Sequence, residues 1–287
     1  MVTVFRYTMK RFRGQIIGWG IGLFLLGLLL VSLFDEFAGQ TEALNELLAV
    51  YPEEFTAFFG DFTNLGTPEG WLGIEFFSYM PLVLGIFPIL AGTGLLVSDE
   101  ESGRLDLILG HPVTRSALLF GRLFAFIASS ILICLIAWVG LVVPMFWSTM
   151  DADIGELLLP FVSLEAEVIL FGAIAILLSL SLPSRRVAAM TAGIILVASF
   201  FITGFAQITD VLEGAAQFSP LTYYQSTDAM QGLNFNWLAG LLGVAIIFIL
   251  FSWWLFQRRE IRVGGEGGWN LTNLLPRRHE AEVNERP

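Results

Sequence analysis

The sequence predicts an all-α polytopic membrane protein with six transmembrane helices, and three observations carry that prediction. Of the 287 residues 55% are apolar and only 14% charged, too little polar surface to solvate a globule of this size. The charges bound six gaps, five of them long enough to cross a hydrocarbon core of about 30 Å at about 1.5 Å of helix per residue and the fourth once extended outward. All 15 basic residues fall in alternate connecting segments, the pattern expected when Lys and Arg are retained on the cytoplasmic side.

The predicted spans are 14–34, 76–98, 123–147, 157–182, 187–209 and 236–257. The fourth uncharged gap, Val168 to Ser184, is short, so its helix is extended outward past Glu165 and Glu167. Basic residues then lie before the first span (Arg6, Lys10, Arg11, Arg13), between the second and third (Arg104, Arg115, Arg122), between the fourth and fifth (Arg185, Arg186) and after the sixth. The outer segments hold acids and no basic residue. A missed or invented span would divide the basic clusters between the two sides, so the count is six, with both termini cytoplasmic and the chain in the cell membrane. A signal peptide at the start is rejected, because the apolar stretch is too long for an h-region and no small-x-small cleavage site follows Phe34.

Several function classes drop out. One cysteine, Cys134, forms no internal disulfide, and two histidines, His111 and His279, build no multi-histidine metal site. A net charge of −11 disfavours nucleic acid as a partner.

Residues 1–13 mix apolar and basic side chains and read as an elbow at the inner headgroup surface that turns into helix one. Helix one carries Gly14, Gly18 and Gly22 at four-residue spacing, which either admits a neighbouring backbone or reflects the frequency of glycine in membrane helices. Pro81 and Pro88 predict a bend in helix two. The outer segment from Asp35 to Glu75 reads as two amphipathic helices, with Leu44, Leu47, Leu48 and Tyr51 in the first and Phe55, Phe58, Phe59 and Phe62 in the second. These cap the bundle or rest on the outer leaflet. Residues 258–287 form a polar, glycine-bearing cytoplasmic tail.

The functional argument rests on the segment between helices two and three. Ser98 followed by Glu101 spells a capping box. Leu105, Ile108 and Leu109 supply one apolar stripe, Gly110 a left-handed stop, and Pro112 a barrier to continuation. The expectation is one short helix over 99–109 with an apolar face that needs a partner, and its four acids against Arg104 favour a protein over an anionic leaflet.

These residues resemble the permease subunits of type-2 ATP-binding-cassette (ABC) exporters. The family pattern is a Glu-rich start, Gly-Thr-Leu, a pair of leucines and a Pro-Val-Ser-Arg close. It is matched by Glu100, Glu101, Gly103, Leu105, Leu109, Pro112, Val113 and Arg115, with Gly121 and Arg122 following; Arg104 stands for threonine and Thr114 for serine. The run Phe218-Ser-Pro-Leu-Thr-Tyr-Tyr224 is similar to the Ser-Pro-aromatic element before the last helix. The resemblance covers residues 1 to about 260. It implies that Glu100, Glu101, Gly103, Arg104, Leu105, Ile108, Leu109, Pro112 and Arg115 belong to a coupling helix that docks on a cytoplasmic ABC ATPase. The chain has no phosphate-binding loop, since its one lysine is Lys10. ATP and Mg would therefore bind a separate ATPase, present in two copies, and two permease subunits would pair around the pathway, as a homodimer or with a related permease.

Glu165 and Glu167 are the deepest acids, and two readings stand. One of them lines the pathway near its outer mouth, or helix four starts later and both sit in water. Ser219, Pro220, Tyr223 and Tyr224 form an outer re-entrant gate or an interfacial aromatic anchor. His111 reads as a spacer rather than a catalyst. Competing functions are an ion-coupled secondary transporter using Glu165 or Glu167 as a proton relay, and a membrane-embedded enzyme. The run Glu100-Glu101-Ser-Gly-Arg104 is similar to the paired-glutamate motif of intramembrane proteases, but its arginine falls one residue early and neither histidine lies in a span.

Overall fold

The computed structural model describes residues 1–38, 65–105, 110 and 113–258. Among these every regular element is helical. The helices that fall on the six predicted spans are α1 (Val2–Ala38), α2 (Met80–Gly94), α3 (Arg115–Met145), α4 (Leu158–Ser181), α5 (Arg185–Ala206) and α6 (Phe235–Arg258), which makes five or six candidate spans. Five are long and apolar enough to cross a membrane alone; α2 does so together with the turns Pro68–Phe77, across a bend of 41°.

Starts of helices follow from capping chemistry. Thr114 Oγ1 accepts from the Ala117 amide at 3.2 Å and Ser184 Oγ from the Val187 amide at 3.3 Å, each satisfying a donor that the first helical turn leaves over. Asn234 Oδ1 does the same for Asn236 and Trp237 at the start of α6. The Thr114 cap moves α3 to a start at Arg115, eight residues before the predicted boundary, so that Arg122 lies inside the helix.

Two further boundaries correct the sequence reading. No turn separates the expected elbow from helix one: α1 is continuous for 37 residues, about 55 Å. Residues 2–13 contain neither proline nor glycine, so nothing interrupts the ladder. The predicted span 76–98 is divided. Phe76 and Phe77 belong to a π turn, Gly73–Phe77, and the chain bends at Ser78–Tyr79, just before Pro81 enters the first turn of α2, where its missing N–H costs nothing. After Gly94 the helix stops, and Val97–Glu101 forms a separate short helix.

Packing sets α4 at the centre, against α2, α3, α5 and α6, while α1 lies along α3. Glycines make the two closest crossings. A Cβ at Gly140 of α3 would fall 2.5 Å from the Phe24 Cα of α1, and one at Gly92 of α2 would fall 2.8 Å from the Gly172 carbonyl oxygen of α4. By contrast, Gly14, Gly18 and Gly22 have nothing within 4 Å of such a position; no helix among the described residues approaches them. Aromatic rings fill the interior: Phe87 stacks on Phe126 at 5.7 Å, and Phe161 meets Phe76 and Phe77 at 5.9 and 5.2 Å. At the C-terminal end of α1, Asp35 accepts from Ser148 and from both the amide and hydroxyl of Thr149 at 2.7 Å each. Trp71 Nε1 donates to Leu30 O at 3.0 Å. These bonds tie the connections before α2 and after α3 back to α1.

Candidate functional site

Residues 95–114 connect α2 to α3, and three helices hold the start of this loop. Asp99, in the Val97–Glu101 helix, receives Arg122 Nη2 of α3 at 2.6 Å and Arg11 Nη1 of α1 at 3.3 Å. Arg122 also donates to the Leu95 carbonyl, at the end of α2. Glu101 Oε1 accepts from the Arg185 amide at 3.0 Å, capping the first turn of α5, where a carboxylate is favoured by the helix dipole. Ser98 and Glu101 therefore do not form the expected capping box. Ser98 Oγ accepts from Arg11 Nη2 at 3.1 Å, and no side chain caps the Val97–Glu101 helix.

The single helix over 99–109 is likewise corrected. The short helix ends at Ser102, and Gly103 takes φ +67°, the left-handed conformation that glycine adopts without steric cost. A stop falls at Gly103; residues 106–109, just ahead of Gly110, lie outside the described residues. Leu105 begins the next turn with its side chain in the core at 1% exposure, so this member of the apolar stripe is covered by the chain itself. Glu100 is buried too, whereas Glu101, Ser102, Gly103 and Arg104 are exposed. Ile108, Leu109, His111 and Pro112 lie outside the described residues, as do residues 39–64, with the expected outer amphipathic helices, and the tail from 259. Arg115 donates to the Phe256 and Gln257 carbonyls at 2.9 and 3.1 Å, joining the start of α3 to the end of α6.

The acid pair is inside the bundle. Helix α4 already begins at Leu158, which overturns the reading that both glutamates sit in water before a later helix start. Glu165 accepts from Ser130 Oγ of α3 at 2.6 Å and contacts Cys134 Sγ at 3.6 Å. Glu167 is 2% exposed, and neither of its oxygens has a hydrogen-bond partner among the described residues.

Between α5 and α6 the chain makes a string of short turns. Ser219 Oγ bonds to the Ser199 carbonyl at 3.1 Å and to Thr203 Oγ1 at 2.8 Å, pinning the start of the Pro220–Tyr223 turn to α5. Tyr223 donates to Gln217 O at 2.8 Å and packs edge-on against Trp237. Tyr224 points inward and donates to Phe77 O at 3.1 Å. Burial first, and the nearness of Glu167 next, pushes its phenol well above the ordinary value of 10.0. Gln225 extends the anchor: its amide donates to Ser163 Oγ of α4 at 3.0 Å. The four expected gate residues thus share one turn but face three different neighbours.

Asp99, Arg11 and Gln225 went unmarked in the sequence. Thr114 was the available signal for the first two: a cap there places Arg122 two turns inside a span, where a guanidinium requires an acid close by.

The model for the ABC-2 family transporter protein matches residues 17–261. The chain belongs to the ABC-2 transporter family. No curated protein matches it. As an ABC-2 family member with this set of apolar helices it is a multi-pass membrane protein and a membrane component of transport, and the family match contains the clamped Asp99 loop, the α4 glutamates and the Ser219–Tyr224 turn.

Proposed function

We propose that the chain is the permease subunit of an ABC exporter in the cell membrane, with both termini cytoplasmic, working as a homodimer and driven by two copies of a separate cytoplasmic ATPase. The coupling element in this reading is the exposed turn Glu101–Arg104, with the 106–112 stretch beside it, rather than an apolar face containing Leu105. One observation carries it: Asp99 and Glu101 bind side chain or backbone groups of α1, α3 and α5 within a few residues of that turn. A push on the turn is therefore delivered to three spans together, which a loop tethered only at its ends would not do. ATP and Mg act on the partner, which closes on nucleotide and moves the turn.

The second subunit is best received by α1. Gly14, Gly18 and Gly22, with Trp19, Leu23 and Val83, line an open groove of about 560 Å³, and Ile17, Ile21, Leu25 and Leu29 of the same helix are exposed. Small residues permit the close helix contact on which association in lipid depends.

The test uses the tagged full chain in native membranes. Arg104→Glu, on an exposed side chain, is expected to remove the copurifying ATPase and its stimulated hydrolysis while insertion and thermal stability stay unchanged. A variant that still copurified with ATPase and transported normally would sink the coupling reading. Disulfide trapping through Ile17→Cys, in a chain whose native Cys134 is buried, is expected to give a crosslinked dimer; a strictly monomeric product overturns the α1 interface.

A further inference from the structure

Where α1, α2, α3 and α5 converge, a cavity of about 160 Å³ opens beside the clamped loop, with Tyr7, Thr8, Arg11, Gln15, Arg122 and Arg185 on its walls. Three guanidiniums line it and no carboxylate does. Asp99 lies behind Arg11 and Arg122, and Glu101 sits on the Arg185 backbone amide.

Arg185 is half-buried at the α5 end of this arrangement. It makes no ion pair among the described residues; its Nη2 donates to Leu90 O at 3.3 Å, leaving most of its five N–H groups unspent. Gly94 brings it there: a Cβ at that position would stand 3.0 Å from Nη2 and 3.1 Å from Cζ, so the guanidinium lies flat over the glycine backbone, on the cavity wall. Arg122 is 3% exposed and held rigidly, so its orientation costs nothing further on binding. Gln15 carries a buried side-chain oxygen with no hydrogen-bond partner; turned over, the same carboxamide offers an N–H. A polar cavity with a rigid buried guanidinium, a second one half-spent and an unsatisfied amide is built for an oxyanion.

We propose that this cavity binds a phosphate group, carried by an anionic phospholipid or free in solution. Guanidinium forks match phosphate oxygens bidentately, and basic pockets between membrane helices at the positive end of a bundle suit phospholipid headgroups. Arg6, Lys10 and Arg13 on the same turns of α1 add long-range attraction toward the opening. The proposal does not depend on the coupling mechanism, because binding is read without nucleotide or ATPase.

The probes are phosphatidylglycerol and inorganic phosphate, added separately and together to the detergent-purified full chain, with bound mass read by native mass spectrometry. Wild type is expected to hold one phosphatidylglycerol per chain in salt high enough to screen surface charges. Arg185→Gln is expected to weaken it about tenfold, while Arg186→Gln, on an exposed neighbour outside the cavity, changes it less than about twofold. Should Arg185→Gln fail to fold, Arg11→Gln on a partly exposed side chain reads the same site. Lipid retained in excess phosphate identifies the lipid as the source; phosphate that binds alone or displaces the lipid identifies free phosphate, and both support the site. Absence of binding by either probe, or equal losses at Arg185 and Arg186, overturns it.

Discussion

Arg122 and Asp99 meet at 2.6 Å with their side chains only 4% and 6% exposed, so the loop between α2 and α3 is held to the bundle by an ion pair that water scarcely reaches. Removing one partner leaves the other buried and uncompensated, a loss of about 3 kcal/mol or more for such pairs. Asp99→Ala and Arg122→Ala are each expected to lower the thermal unfolding midpoint in detergent sharply. The double variant Asp99→Leu with Arg122→Met should recover most of it, because no buried charge is left orphaned and Arg11, whose side chain is 41% exposed, turns to water. A double variant as unstable as the worse single one would contradict this account.

Gly140 carries the α1–α3 contact. The methyl of Gly140→Ala would press on Phe24 backbone atoms at 2.5 and 2.6 Å, and backbone cannot move aside as a flexible side chain can, so about 1–3 kcal/mol of destabilisation is expected. Gly18→Ala has open space at that position and should leave monomer stability unchanged. Thermal midpoints of the two purified variants check the contrast; equal losses would refute it.

These glycines also mark where sequence reading stops. The long apolar helices were legible, because uncharged gaps are a property of the chain: 157–182 holds the helix Leu158–Ser181 and 236–257 the helix Phe235–Arg258. Spacing within one helix reports a face but not its neighbour, so Gly14, Gly18 and Gly22 attracted notice while Gly92 and Gly140, whose close neighbours lie on other helices, did not. Competition misled at the loop: Ser98 and Glu101 have the capping-box spacing, yet Arg11 and the Arg185 amide, 87 and 84 residues away in sequence, take their oxygens. Gly103 and Gly110 were both able to stop a helix; Gly103 does so, and the residues on either side of Gly110 lie outside the described ones.

Tyr224 should make the protein sensitive to alkali. Its phenol is raised by burial in the folded state, so above about pH 10 the unfolded chain releases a proton that the folded chain retains. Stability is thus complete below the unfolded value and declines as pH climbs beyond it. Tyr224→Phe is expected to cost about 1 kcal/mol at neutral pH, through loss of the bond to Phe77 O, and to flatten the alkaline decline. Unfolding midpoints between pH 8 and 11 measure both; an unchanged alkaline slope in the variant would refute the assignment.

Glu167 separates ATP-driven export from proton-coupled transport. A buried carboxyl with two oxygens lacking partners either serves as a proton carrier or is a tolerated polar group in the α4 interior. Glu167→Gln keeps the shape and removes the exchangeable proton. If nucleotide hydrolysis drives the cycle, ATP-dependent transport in proteoliposomes should stay within about twofold of wild type and persist without a proton gradient. The same substitution at Glu165 preserves an acceptor for Ser130 and should be equally mild. Transport abolished by Glu167→Gln, and in wild type by collapse of the gradient with ATP still present, would instead make the chain a proton-coupled carrier.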